Sequence, residues 1–372
     1  ILTFVVNLLS VPYNAAIVAH EKMTAYAYIS IIEVGLKLAV AFLILAIPAD
    51  RLTIYAGLVF AVAVIVRFIY TIYCNRNFKE CKTGPRYDRA IFKEMSSFAG
   101  WNFIGTSSSV IRDQGNNIVL NLFFGTVVNA AYGIGMQVSN AINSFSQNFM
   151  TAINPQITKS YATGDFCYLS VLVMRASRFS YFLLWIIASF VLLNTEQLLM
   201  LWLGEVPAYT ATFTRLFIIF VLSESISQSL ITAILATGNI RNYQIVGLKL
   251  FNLPLSYMFL KLGYSPYVTV IIAIIISQGM LFLRFFFLKE KISLSASMFV
   301  RSVYVKVLAV SVMSITVSYY ISLHLPDTFG GLVIKGILIT LISCASAFFL
   351  GCTSRERAFL IDRFNKLIRK IK

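Results

Sequence analysis

Glu33, Lys37, Arg112, Asp113 and Glu224 lie near the middle of long apolar stretches. A charge at mid-bilayer costs roughly 2.5–3.5 kcal/mol on insertion scales, so each should face a cavity or another charge. Glu33 and Lys37 stand four residues apart with the acid first, the favourable order for an intrahelical pair. A self-neutralised structural couple and a transport role are equally good readings of them. Arg112 and Asp113 are adjacent, so they leave a helix about 100° apart and are expected to need different partners. Arg112 is the first choice for a substrate contact, because a guanidinium fork binds phosphate oxygens bidentately. A buried carboxylate is harder to ionise, which makes Asp113 and Glu224 candidates for coupling to a proton or sodium gradient.

The other charges in apolar runs are Arg67, Lys249, Arg284 and Lys335. Arg284 and Lys335 fall within about a turn of the expected helix ends, where snorkelling suffices. Arg67 and Lys249 sit about two turns in, and either snorkelling or function fits them.

Two polar stripes surround Arg112. Asn102, Gly105, Ser109, Arg112 and Asn116 recur at helical spacing, and so do Gln137, Asn140, Ser144, Gln147, Thr151 and Asn154. Lipid cannot satisfy these groups, so the stripes should face protein or water. Any one of them can simply bond neighbouring helices. Two adjacent stripes, one carrying a deep arginine, predict the wall of a hydrophilic passage. Amides and hydroxyls both donate and accept, as sugar hydroxyls require.

Elements must hold these residues in place, and composition says which kind. The chain has 372 residues, 58% hydrophobic and 12% charged. Apolar runs recur at 1–19, 24–48, 52–74, 96–123, 127–158, 174–194, 212–236, 243–262, 266–288, 304–325 and 331–352, with a turn near Gly125. This predicts an all-α polytopic membrane protein. The net charge of +16 does not point to nucleic acid, because the basic residues cluster in short gaps between apolar runs. The gaps at 20–23, 75–95, 159–173, 237–242 and 289–303, with the tail, are expected on the cytoplasmic side. That places 201–209, with Trp202 as an interface anchor, outside and the C-terminus inside.

The expected organisation is 1–75 as the remainder of an N-terminal lobe and 76–95 as a basic cytoplasmic linker. A six-segment C-terminal lobe over 96–288 follows, then two further membrane helices over 289–352. The tail at 353–372 sets Leu360, Phe364, Leu367 and Ile371 against Arg357, Arg363, Lys366, Arg369 and Lys370, a pattern suited to an anionic membrane surface. The chain opens with Ile1 in mid-helix and is read as lacking its N-terminal part.

No gap is long enough to hide a soluble catalytic domain, which argues against an enzyme, and no cofactor is expected. Cys74, Cys81, Cys167, Cys344 and Cys352 form no CxxC and are read as free thiols. His20 and His324 are the only histidines, so no histidine metal site is expected. VGLKL occurs at Val34–Leu38 and again at Val246–Leu250, and Ala16–Ala19 resembles Ala233–Ala236. The implied period of about 215 residues, or six helices, is a parallel repeat of the kind transporters use.

The segments Phe98–Asp165, LWLGEVPAYTATFTRL and AILATGNIRNYQIVGLKLFNLPLSY resemble the lipid-linked oligosaccharide flippases, the O-antigen or Wzx-type polysaccharide transporters. These belong to the multidrug/oligosaccharidyl-lipid/polysaccharide exporter superfamily. The resemblance implies a two-lobed six-plus-six helix fold with two extra C-terminal helices, here without the first three helices and part of the fourth. It implies transport of a polyprenyl-pyrophosphate-linked oligosaccharide from the cytoplasmic to the outer leaflet of a bacterial inner membrane. H+ or Na+ would be the coupling ion, and glycan polymerases or ligases would be partners. An ion-coupled multidrug or cation antiporter of the same fold is the alternative.

Overall fold

The computed structural model describes residues 2–46, 51–82, 88–238, 248–292, 294–359 and 361–362. Every element among them is helical. The order is α1 (Leu2–Ala19), α2 (Met23–Ala46), α3 (Arg51–Asn77), α4 (Arg89–Ala162), α5 (Phe166–Leu193), α6 (Thr195–Leu203) and α7 (Thr210–Ala236). A 3-10 turn (Leu248–Phe251) leads into α8 (Asn252–Lys261). Then come α9 (Val268–Ile292), α10 (Ala296–Leu323) and α11 (Phe329–Gly351). Among the described residues, nine helices are long and apolar enough to cross a membrane. The protein is an all-α, multi-pass membrane protein.

The chain divides into a unit of Ile1–Lys93 and one of Glu94–Lys372. In the first, α3 packs against both α1 and α2. Its core gathers Ile17, Ile29, Val40, Val62, Val66 and Tyr70, with Cys74 and Phe78 at one end. There His20 stacks on Phe78, ring centroids 4.2 Å apart, and bonds Glu80. Arg67 lies over the Tyr13 ring at 5.8 Å, so its charge is met by an aromatic face. Lys37 Nζ donates to Glu33 Oε1 at 2.6 Å, forming the intrahelical couple on an exposed face of α2.

In the second unit α5 is the hub, packing against α7, α9, α10 and α11. Several of its polar residues meet a serine on a neighbouring helix. Ser177 and Ser229 share a hydrogen bond at 2.6 Å, and Ser189 and Ser343 at 3.0 Å. Tyr181 and Ser311 meet at 2.8 Å, while Trp185 Nε1 donates to Ser314 at 2.7 Å. Interhelical hydrogen bonds of this kind average about 0.6 kcal/mol in membrane proteins. They recur along the whole of α5, tying it to three helices in turn.

Two charged residues behave differently from their sequence expectation. Arg284 does not snorkel: its side chain is fully buried, at 0% exposure, because α9 continues to Ile292 and keeps it two turns from the end. Lys335 is also buried, but its ammonium reaches back to Asp327 before the start of α11, 2.6 Å away. The second copy of VGLKL and the Lys249 side chain fall wholly or largely outside the described residues, as does most of the tail beyond Phe359.

Candidate functional site: a polar cavity between α4 and α7

The site is built on α4. Its 74 residues are helical except at Gly125, where φ is 77° and ψ is −169°. At 1.5 Å per residue a straight helix would hold Arg112 and Gln147 about 50 Å apart. Both line one cavity, so the chain folds back at Gly125 into two arms, 89–124 and 126–162.

Small residues bring the second arm against α7. Ala131, Gly135 and Ser139 recur every four residues and are all buried, the small-xxx-small pattern that lets membrane helices approach closely. A Cβ on Gly135 would stand 3.1 Å from the Phe213 carbonyl carbon and the Thr214 nitrogen. Ser139 Oγ donates to the Phe217 carbonyl at 3.3 Å. Tyr132 packs edge-on against Phe213 and Phe217. With Val119, Leu120, Val128, Ala131, Leu260 and Val270 these rings form an apolar plug at the Gly125 end.

Beyond the plug the walls part into a cavity of about 340 Å³. The first arm contributes Ser109, Arg112 and Asp113. The second contributes Met136, Ser139, Asn140, Asn143, Ser146 and Gln147. From α7 come Phe217, Phe220, Val221, Glu224, Ser225 and Gln228. This volume lies at the small end of the roughly 300–1,000 Å³ typical of small-molecule sites.

Arg112 and Asp113 do not take separate partners. Arg112 Nε donates to Asp113 Oδ1 at 2.8 Å, because the guanidinium stem is long enough to bend around the helix to its neighbour. The Arg112 side chain is 14% exposed and lies over the Phe220 ring at 5.0 Å. Across the cavity Glu224 Oε1 accepts from Ser277 Oγ of α9 at 2.5 Å. One guanidinium therefore shares the lining with two carboxylates.

The hydroxyls are mostly committed. Ser146 bonds Ser180 of α5, Ser225 donates to the Leu222 carbonyl, and Ser139 is used as above. Asn140, Asn143, Gln147 and Gln228 carry no side-chain hydrogen bond to protein among the described residues. Four amides, each able to donate and accept, are thus presented to whatever fills the space.

Of the residues singled out from sequence, Ser109, Arg112, Asp113, Asn140, Gln147 and Glu224 meet at this cavity. Asn102, Asn116, Gln137, Ser144 and Thr151 are not part of its wall. Asn116 is buried and donates to Asn252 of α8 at 2.7 Å, so it ties helices together. Asn102 and Thr151 bond carbonyls one turn back, at Phe98 and Gln147. Ser144 donates to the Ala141 carbonyl and, like Gln137, stands exposed off the cavity face. The wall of the second arm is rotated from the expected stripe, running through Met136, Ser139, Asn143 and Ser146 with Asn140 and Gln147 at its edge. Asn143, at three and four residues from Asn140 and Gln147, belongs to that pattern, as Gln228, four residues on, does to Glu224. Glu33 and Lys37 lie in the other unit, paired with each other. Among the described residues no group of three or more His, Cys, Asp or Glu could hold a metal ion.

No family model matches the chain, and neither the curated proteins nor the solved structures yield a match.

Proposed function

We propose that this protein is a membrane transporter that moves a polyprenyl-pyrophosphate-linked oligosaccharide from the cytoplasmic to the outer leaflet of a bacterial inner membrane. The observation that carries this reading is the set of four unengaged amides beside Arg112. A sugar ring offers hydroxyls that amides recognise in both senses. A phosphate offers oxygens that a guanidinium holds more strongly in a water-poor cavity than in bulk. Arg112 spends one N–H on Asp113, so an arriving phosphate is met by the remaining face of the fork. The two-lobed exporter fold, a cytoplasmic C-terminus and partnership with glycan polymerases or ligases belong to the same proposal.

A second reading has its own support. Asp113 and Glu224 outnumber Arg112, and Phe217 and Phe220 add aromatic faces. That combination suits a cationic solute exchanged for H+ or Na+.

Proteoliposomes carrying fluorescent lipid-linked glycan separate the two. The full-length protein should expose glycan on the far side, and Arg112→Ala should slow this at least about tenfold, the loss expected for a charge-assisted hydrogen bond. Unchanged glycan translocation by Arg112→Ala removes the phosphate contact. Uptake of a cationic dye that fails in Glu224→Gln, with no glycan movement in either protein, selects the antiporter.

A further inference from the structure

A second charged cluster lies outside the cavity, where α5 enters the bundle and α11 leaves it. Arg178, 4% exposed, donates from Nη2 to Glu356 Oε1 at 2.5 Å and from Nη1 to the Ser302 carbonyl at 3.3 Å. Arg175 Nε stands 3.3 Å from the same Glu356 oxygen. Glu356 is itself fixed by a capping box. Its Oε2 accepts from Thr353 N–H at 2.8 Å, and its own N–H donates to Thr353 Oγ1 at 3.4 Å. Lys306 of α10 stands within electrostatic reach of Arg178, Glu356 and Arg357. Four cations from three elements thus surround one carboxylate. Arg178 Nε and Arg357 Nε are buried donors with no protein acceptor among the described residues.

The position of this surplus matters. Arg175 and Arg178 open the apolar run 174–194, Lys306 opens 304–325, and Glu356 and Arg357 follow the end of 331–352. All therefore stand at the rim of the hydrocarbon layer, at one end of the bundle. Immediately inward, Val305, Leu308, Phe349 and Leu350 are exposed apolar side chains on α10 and α11. Each helix also carries a π-helical turn there, at Val300–Tyr304 and Ala347–Gly351, and the first supplies the Ser302 carbonyl that orients Arg178. Single π-helical turns inside α-helices are frequent at functional sites.

We propose that Arg175, Lys306 and Arg357, seated on the Arg178–Glu356 pair, bind the phosphodiester headgroup of an anionic phospholipid whose acyl chains run along the exposed faces of α10 and α11. Guanidinium and ammonium donors suit phosphate oxygens, and the adjoining apolar surface suits the chains. The assignment is independent of what the α4–α7 cavity transports.

Purified full-length protein in detergent, titrated with phosphatidylglycerol or phosphatidylethanolamine and read by native mass spectrometry, tests it. Wild type should retain phosphatidylglycerol in preference to phosphatidylethanolamine. R175Q/K306Q leaves Arg178–Glu356 in place and should bind phosphatidylglycerol roughly thirtyfold more weakly, at about fivefold per charge. Lys306→Gln alone should show the about fivefold step, and it serves if the double variant fails to fold. R215Q/K261Q removes the same charge elsewhere on the unit and should bind as wild type. Equal retention of both lipids by wild type, or undiminished phosphatidylglycerol binding by a folded cluster variant, overturns the proposal. So does equal thermal stabilisation by inorganic phosphate, which would mark a site for free phosphate instead.

Discussion

The second arm of α4 and helix α5 are both rich in polar residues, yet they use them in opposite ways. On α5, alongside the charged Arg175 and Arg178, each of Ser177, Tyr181, Trp185 and Ser189 ends on a partner in another helix. On α4 the groups facing the cavity include Asn140, Asn143 and Gln147, which end on none among the described residues. Packing explains the difference. A serine oxygen lies close to its own backbone, so two helices must touch for it to bond a second serine, and the contact excludes water. Asn140, Asn143 and Gln147 instead face a cavity that no neighbouring helix fills. Polarity in a membrane helix therefore carries two meanings, and a partner on the facing helix distinguishes them: Asn116, also an amide, meets Asn252 and acts as the α5 groups do.

The sharpest way to break this contrast is at the charged end of α5. Arg178→Ala strips the main partner from a carboxylate buried beside it, and breaking a buried pair costs about 3–5 kcal/mol. Thermal unfolding in detergent should show that loss. Hydrogen exchange should show residues 353–359 released from α5. Acid probes the same contact. Burial alone would push Glu356 up, but the Thr353 N–H, Arg178, the Thr353 hydroxyl and Arg175 outweigh it and hold the carboxyl below its ordinary value of 4.5. A lowered folded-state value means the stabilisation is fully present above that ordinary value and fades as pH falls through the folded one. Protection of 353–359 should thus persist from neutral pH to below 4.5, then collapse.

A smaller effect is expected at the serine pairs. A double-mutant cycle on Ser177 and Ser229, each to Ala, should return a coupling of about 0.6 kcal/mol. Coupling near zero would mean that the hydroxyls of α5 do not sew helices together. The smallest change belongs to the cavity wall. Asn143→Ala removes no protein hydrogen bond and should leave stability within about 0.5 kcal/mol of wild type. Asn143→Cys should react with a water-soluble thiol reagent, whereas Ser177→Cys should not.

How far the sequence reached follows the same physics. Apolar runs of membrane-crossing length announce the helices, and the φ-permissive Gly125 announces the fold-back. Arg112, Ser109, Asn140 and Gln147 lie on legible stripes because helical periodicity is a local property. Partnerships across long separations are not legible in this way. Asn116 meets Asn252 and Arg178 meets Glu356 only after the bundle forms. Arg178 escaped notice because a basic residue at the edge of an apolar run reads as ordinary interfacial charge. Its acid partner lies 178 residues away. The Arg112–Asp113 pair failed for another reason. Cβ direction separates neighbours on a helix, but a flexible side chain can bend back across that angle. The Glu33–Lys37 couple was readable because both its spacing and its order are local.

Gly125 joins the two cavity-bearing arms through a single left-handed torsion with open space around it. Beside that torsion Val119 and Leu120 of the first arm pack with Val128, Ala131 and Tyr132 of the second, so the fold-back is clamped by an apolar contact as well as by the chain. A residue that touches nothing inside the chamber thus decides that its two walls come from one continuous stretch of chain.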